Sequence, residues 1–173
     1  MKKLIAILMA VTMVLCLAAC GTDEAAKNPS TPADNGNNPV QDSFVFTFNG
    51  TDIALHAPAA AIVAALGEPM NYSESTSCAF DGLDKTYEYS NFAFTTYPIG
   101  DKDYINSIWF KNDLVTNDKG ITIRSPKAAV EAAYGADAYN GVNAYTITKG
   151  HGKLEITIDG ETVTGILYSA TFD

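Results

Sequence analysis

Nucleophilic catalysis needs a general base beside a serine, threonine or cysteine, and this chain has two histidines to offer, His56 and His151. His56 closes a strand ahead of a helix and His151 stands between Gly150 and Gly152 in a turn, so surface or capping roles are expected for both. No Gly-x-Ser-x-Gly elbow, His-Glu-x-x-His helix or phosphate-cradling glycine loop accompanies them. Carboxylates are abundant, and two pairs stand close in sequence: Asp101 and Asp103 around Lys102, and Asp81 and Asp84 in a turn with Gly82. Either pair could lend oxygens to calcium, but the regular Asp-x-Asp-x-Asp-Gly loop with its distant glutamate is missing, and solvated turns are expected. A glycosidase needs two carboxylates across a cleft, a separation that a linear sequence does not display. No catalytic residue, metal site or cofactor is assigned, and a non-enzymatic protein is expected.

The elements that must position these residues begin after a segment of another kind. Met1-Lys2-Lys3 is basic, Leu4 to Leu17 is apolar except for Thr12, and Leu17-Ala18-Ala19-Cys20 sets small residues before a cysteine. The apolar run is shorter than the ~20 residues that span a bilayer. It resembles a bacterial lipoprotein signal peptide. That resemblance implies removal of residues 1–19, with Cys20 as the mature N-terminus carrying diacylglycerol on its sulfur and often a third acyl chain on its amine. Two acyl chains anchor a protein stably without any spanning segment. The expected location is the extracytoplasmic side of the cell membrane, with the membrane as partner through the lipid on Cys20.

Residues 20–42 comprise the lipidated cysteine and a spacer. Gly21 to Asp42 contains no aromatic residue and only one larger aliphatic, Val40, too little apolar area to fold. Such a stretch spans at most roughly 70 Å fully extended and about 25 Å as a flexible coil, enough to hold a domain clear of lipid headgroups. Loss of Lys2 and Lys3 with the signal leaves 9 basic against 20 acidic residues, a formal charge of −11 compared with −9 for the whole chain. Scattered lysines and the single Arg124 do not make a phosphate-binding surface, so no nucleic-acid partner is expected. With Cys16 removed and Cys20 acylated, Cys78 has no partner for an intramolecular disulfide, and its alternation with Phe80 suggests a buried apolar thiol.

Residues 43–173 read as one folded domain made of two repeats, 43–118 and 119–173. A shift of 68 places Asn49 on Asn117, Ile53 on Ile121, Leu55 on Ile123, Pro58 on Pro126, Ile62 on Val130 and Gly67 on Gly135. Each copy is expected to open with a hairpin, turning at Asn49-Gly50 or at Asn117-Asp118-Lys119-Gly120. A short alanine-rich helix follows, entered through Pro58 or Pro126 and stopped at Gly67 or Gly135. Period-two runs come next: Ser77 to Phe80, Thr86 to Tyr89, Phe92 to Tyr97 and Tyr104 to Lys111, then Asn143 to Lys149, Leu154 to Ile158 and Thr162 to Phe172. A shift of 58 superposes the late strands, with Tyr87 on Tyr145, Ile108 on Ile166 and Phe110 on Tyr168.

The expected class is α+β, with helices on one face of antiparallel strands. Alternation directs Phe92, Phe94, Ile108, Phe110, Leu154, Ile156, Ile166 and Tyr168 toward the helices. Thr95, Tyr97, Trp109, Thr157 and Leu167 then face the other way, and Tyr97, Trp109 and Leu167 are the candidate binding residues.

Val63-Ala64-Ala65-Leu66-Gly67-Glu68-Pro69, and Gly120-Ile121-Thr122-Ile123 continuing through Val130 to Tyr134-Gly135, resemble tandem-repeat lipoproteins of Gram-positive, clostridial-type bacteria. Their units are similar to the beta-lactamase-inhibitory-protein fold and to the small outer-membrane lipoprotein A fold. The resemblance implies an open sheet face that engages another protein, while the disulfides of the inhibitory protein have no counterpart here. The expected function is therefore non-enzymatic binding of a protein or cell-envelope ligand through that face. A structural envelope-assembly lipoprotein and an envelope hydrolase using acidic residues are the alternatives.

Overall fold

A computed structural model describes residues 42–172. The expected signal segment, Cys20 and the expected spacer as far as residue 41 lie outside the described residues. The first described element is a hairpin of β1 (Val45–Phe48) and β2 (Thr51–Ala54), paired antiparallel with Phe48 opposite Thr51. Its two loop residues, Asn49 (φ 49°) and Gly50 (φ 80°), are both left-handed, the backbone that lets a two-residue loop follow the strand twist. Helix α1 (Ala59–Leu66) comes next, and its last turn closes with Gly67 N–H donating to the Val63 carbonyl at 3.1 Å.

Seven strands then build the main sheet. They are β3 (Asn71–Thr76), β4 (Leu83–Glu88), β5 (Phe92–Ile99), β6 (Lys102–Phe110), β7 (Ala144–Lys149), β8 (Gly152–Asp159) and β9 (Thr162–Ala170). Helix α2 (Lys127–Tyr134) and a 3-10 turn at Ala136–Ala138 precede β7. The spatial order is β3-β4-β5-β6-β9-β8-β7, antiparallel throughout, so the last strands of the two halves meet in the middle. There Ser107 pairs with Ser169, Ile108 with Tyr168 and Trp109 with Leu167. Trp109 and Leu167 are 58 positions apart, the offset that relates the late strands, and their pair marks the junction of the halves.

The α+β expectation is overturned: the described chain is mostly β, nine strands in two antiparallel sheets with two eight-residue α-helices. The reason lies in what the helices can bury. Eight residues make about 12 Å of helix, and only Ala59 and Ile62 of α1 and Val130 of α2 are buried. Alanine carries too little apolar area to cover a sheet. The covering instead comes from the β1–β2 hairpin and the loop before α2, whose Phe46, Ile53, Leu55, Val115 and Ile121 join Phe92, Phe94, Phe110, Tyr145 and Tyr168 in one core. Phe46 lies 5.0 Å from Phe92 and 4.9 Å from Phe110 between ring centroids, within the range where aromatic pairs attract.

What recurs between the halves is the docking of the segment before each helix. His56 N–H donates to the Ile105 carbonyl at 2.8 Å and Ile105 N–H to the Ala57 carbonyl at 2.9 Å. Arg124 N–H to Val163 O at 2.8 Å and Val163 N–H to Ser125 O at 2.9 Å are the same bonds at offsets of 68 and 58. Both His56 (φ 64°) and Arg124 (φ 73°) are left-handed there.

Two expected strand features are absent. Asn117 to Ile123 does not form a hairpin, because the Asn117 side chain takes over the hydrogen bonding. Its Oδ1 accepts from Lys119 N–H at 3.0 Å and Ile121 N–H at 2.9 Å, and its Nδ2 donates to Tyr134 Oη at 2.9 Å. Ser77 to Phe80 is a loop in which Ser77 Oγ accepts from Phe80 N–H at 3.3 Å, and the strand there is β3, exposed at all six positions. A strand with both sides in water carries no apolar alternation to read. Cys78 sits in that loop and is exposed, contrary to the buried thiol its alternation with Phe80 suggested.

Candidate functional site

The sheet has one covered face and one open face. Phe92, Phe94, Ile108, Phe110, Leu154, Ile156, Ile166 and Tyr168 all lie in the core, on the side of both helices. Across the sheet, cross-strand partners put Ala93, Thr95, Ser107, Trp109, Leu167, Glu155 and Thr157 on the opposite side. No helix among the described residues packs on that side. Thr95 Oγ1 and Ser107 Oγ share a 2.6 Å hydrogen bond. Two lysines on this side pair with carboxylates, Lys111 Nζ to Glu88 Oε2 at 3.1 Å and Lys153 Nζ to Glu155 Oε2 at 3.5 Å.

Two of the three residues expected to bind are brought together here. Trp109 and Leu167 are directly paired, half-buried, with Ala93 beside the indole and Glu155 beside the leucine. Tyr97 is not with them. It is 4% exposed, enclosed by the rings of Phe80 at 4.9 Å, Phe172 at 5.0 Å and Tyr104 at 5.7 Å. The loop carrying Phe80 and the chain end carrying Phe172 cover it, and burial pushes its phenol up from the ordinary range. Sequence alternation gives the side of the sheet on which Tyr97 stands but not what folds over it.

His56 departs from expectation in the same region, while His151 lies in the turn expected for it. His56 is buried rather than at the surface. Its Nε2 lies 2.8 Å from the His151 carbonyl, and its Nδ1 lies 2.8 Å from Tyr97 Oη. A carbonyl only accepts, so Nε2 carries the proton, and in the neutral ring Nδ1 accepts from the tyrosine hydroxyl. The same His151 carbonyl also accepts from Thr171 N–H at 2.8 Å. With both ring nitrogens engaged, His56 joins the segment before α1, the β7–β8 turn, β5 and the chain end, and its geometry is that of a clasp.

The carboxylate pairs behave as side chains of turns and strand ends. Asp103 Oδ2 holds Lys85 Nζ at 2.7 Å, raising the lysine's affinity for its proton. Among the described residues no group of three or more His, Cys, Asp or Glu is arranged to hold a metal ion, and no helix is long and apolar enough to cross a membrane.

A cavity of about 360 Å³ lies between the start of α1 and the sheet, on the core side, and sequence reasoning did not anticipate it. Pro58, Val63 and Tyr87 line it together with the charged side chains Asp101, Lys102 and Asp103.

No protein-family model, no curated protein and no solved structure matches this chain.

Proposed function

We propose that this chain is a lipid-anchored extracytoplasmic lipoprotein that binds a protein or cell-envelope ligand, without catalysis, through the open sheet face around Trp109 and Leu167. The observation that carries this reading is the pairing of those two large apolar residues, half-buried, at the centre of a face on which no described helix packs. Tryptophan is favoured where an apolar surface must also meet polar groups, and two lysine–carboxylate pairs lie on the same face. The anchor rests on Leu17-Ala18-Ala19-Cys20 and on the polar composition of the following spacer.

Trp109 is the one tryptophan of the chain, so its emission reports directly on this face. Titration of the full chain with purified cell-wall sacculi and with solubilised envelope proteins is expected to shift that emission saturably. Retention by the same material should fall at least about tenfold in the Trp109→Ala, Leu167→Ala double variant, since central aromatic anchors carry roughly 2 kcal/mol or more each. Retention unchanged in the double variant removes the face from the proposal.

A further inference from the structure

We infer that the outer edge of β3 is a docking site for an extended, basic segment of a partner protein, which joins the main sheet there as one more strand. β3 is the terminal strand of that sheet, and no described strand pairs with its other side. Bonds at the ends of β3 and β4 fix which groups face outward. Ser77 N–H donates to the Gly82 carbonyl at 3.0 Å, and Tyr89 N–H to the Phe92 carbonyl at 2.9 Å. Antiparallel ladders alternate, so Ser73 and Ser75 bond to β4, while Tyr72, Glu74 and Thr76 turn both N–H and C=O away from it. Such an edge is a template for pairing, and chains blunt it with lysine, proline or a covering loop. Asn71–Thr76 contains neither residue and is exposed at all six positions. The opposite edge is protected: Tyr139 bridges to Tyr145, Asn140 N–H donates to the Ala144 carbonyl at 2.8 Å, and β7 ends in Lys149.

Charge and side-chain rows determine what fits. Residues 68–88 carry Glu68, Glu74, Asp81, Asp84 and Glu88 against Lys85 alone. Lys85, across from Glu74, is committed to Asp103 at 2.7 Å, and Glu74 accepts from the Tyr72 hydroxyl at 2.9 Å instead. A lysine or arginine on an added strand would therefore meet an available carboxylate at Glu74. On the same side of the sheet, Phe94, Tyr87 and Tyr72 form an aromatic row from the core to the edge, with centroids 4.9 Å and 5.1 Å apart. Tyr72 ends the row 47% exposed. An aromatic or β-branched residue two positions from the partner's cation would extend it. A second copy of β3 suits the edge poorly, because it brings another Glu74 and no cation. Main-chain bonds with alternate side chains for specificity are the usual terms of strand addition.

The blocked peptide acetyl-Thr-Val-Thr-Lys-Thr-Tyr-amide, laid antiparallel, sets its lysine opposite Glu74 and its tyrosine opposite Tyr72, and nuclear magnetic resonance titration of the full-length chain tests the fit. Saturable shifts of the Tyr72, Glu74 and Thr76 amides are expected, with slowed exchange against solvent. N-methylation of the peptide's valine, lysine and tyrosine blocks the bonds toward β3 and should abolish binding, whereas N-methylation of its threonines faces outward and should leave binding unchanged. Glutamate in place of the peptide's lysine should weaken binding at least about fivefold, and Glu74→Gln about threefold. Thr76→Pro removes one outward N–H without touching a β3–β4 bond and should weaken binding about fivefold; the pair of N-methylated peptides decides the matter if that variant fails to fold. No saturable shift, equal binding of the two N-methylated peptides, or equal binding of the lysine and glutamate peptides overturns the assignment. Protection of these amides that grows with chain concentration alone overturns it in favour of a second copy. The Trp109→Ala, Leu167→Ala variant should bind the peptide unchanged, which separates this edge from the open face.

Discussion

At the scale of single residues, one buried polar side chain, His56, holds distant segments together. His56→Ala removes two hydrogen bonds and leaves the Tyr97 hydroxyl and part of the His151 carbonyl's capacity unmet; a loss of about 2–3 kcal/mol is expected, read as a lowered urea midpoint at unchanged slope. An unchanged midpoint would deny the clasp. Tyr145 gives a prediction with a sign in pH. Burial, then its hydrogen bond to Glu131, pushes its phenol up to about 12 from an ordinary value of 10.0. The folded state therefore holds this proton more tightly than the unfolded chain does. Its contribution is fully present below pH 10 and is lost as pH rises toward 12, so Tyr145→Phe should unfold with a shallower alkaline slope over that window. These roles were only partly legible in sequence. Trp109 and Leu167 could be assigned a common side of a sheet by alternation, whereas the covering of Tyr97 by Phe80 and Phe172 depends on where a loop and a chain end fold back.

At the scale of elements, period two identified the strands that have one wet and one dry side, and it was silent where that contrast is missing. Strand β3, exposed at every position, is the clearest case; at Asn117 to Ile123 the expected hairpin fails instead, because a side chain there supplies bonds that backbone would otherwise make. The β7–β8 turn shows how an element is specified by neighbours remote in sequence. A Cβ at Gly150 would collide with the Asp42 carbonyl, and one at Gly152 would come within 2.6 Å of Ser43 Oγ and 3.0 Å of the Phe44 ring. The glycines around His151 thus leave room for the chain's approach to β1. Gly152→Ala is expected to cost about 1–3 kcal/mol through overpacking, measured by thermal or urea unfolding, while Gly160→Ala meets no neighbouring atom and is disfavoured only by its φ of 58°. Equal effects at the two positions would contradict the close approach.

At the scale of the whole molecule, the proposed attachment rests on one sulfur atom. Cys20→Ala is expected to abolish metabolic labelling with fatty acid and to release the precursor from lipoprotein processing; labelling that persists in the variant refutes the anchor. Composition, the apolar leader ending at Cys20, the polar spacer and the offsets of 68 and 58 are all one-dimensional properties, and the chain itself determined them. The balance of sheet over helix was decided by tertiary packing, because eight-residue alanine-rich helices bury too little to form a layer and aromatic side chains of the hairpin and sheet fill the core instead. So were the meeting of Trp109 with Leu167, the burial of His56 and Tyr97, and the cavity beneath α1. Each depends on segments distant in sequence coming within a few ångströms of one another, and local periodicity carries no record of which segments those are.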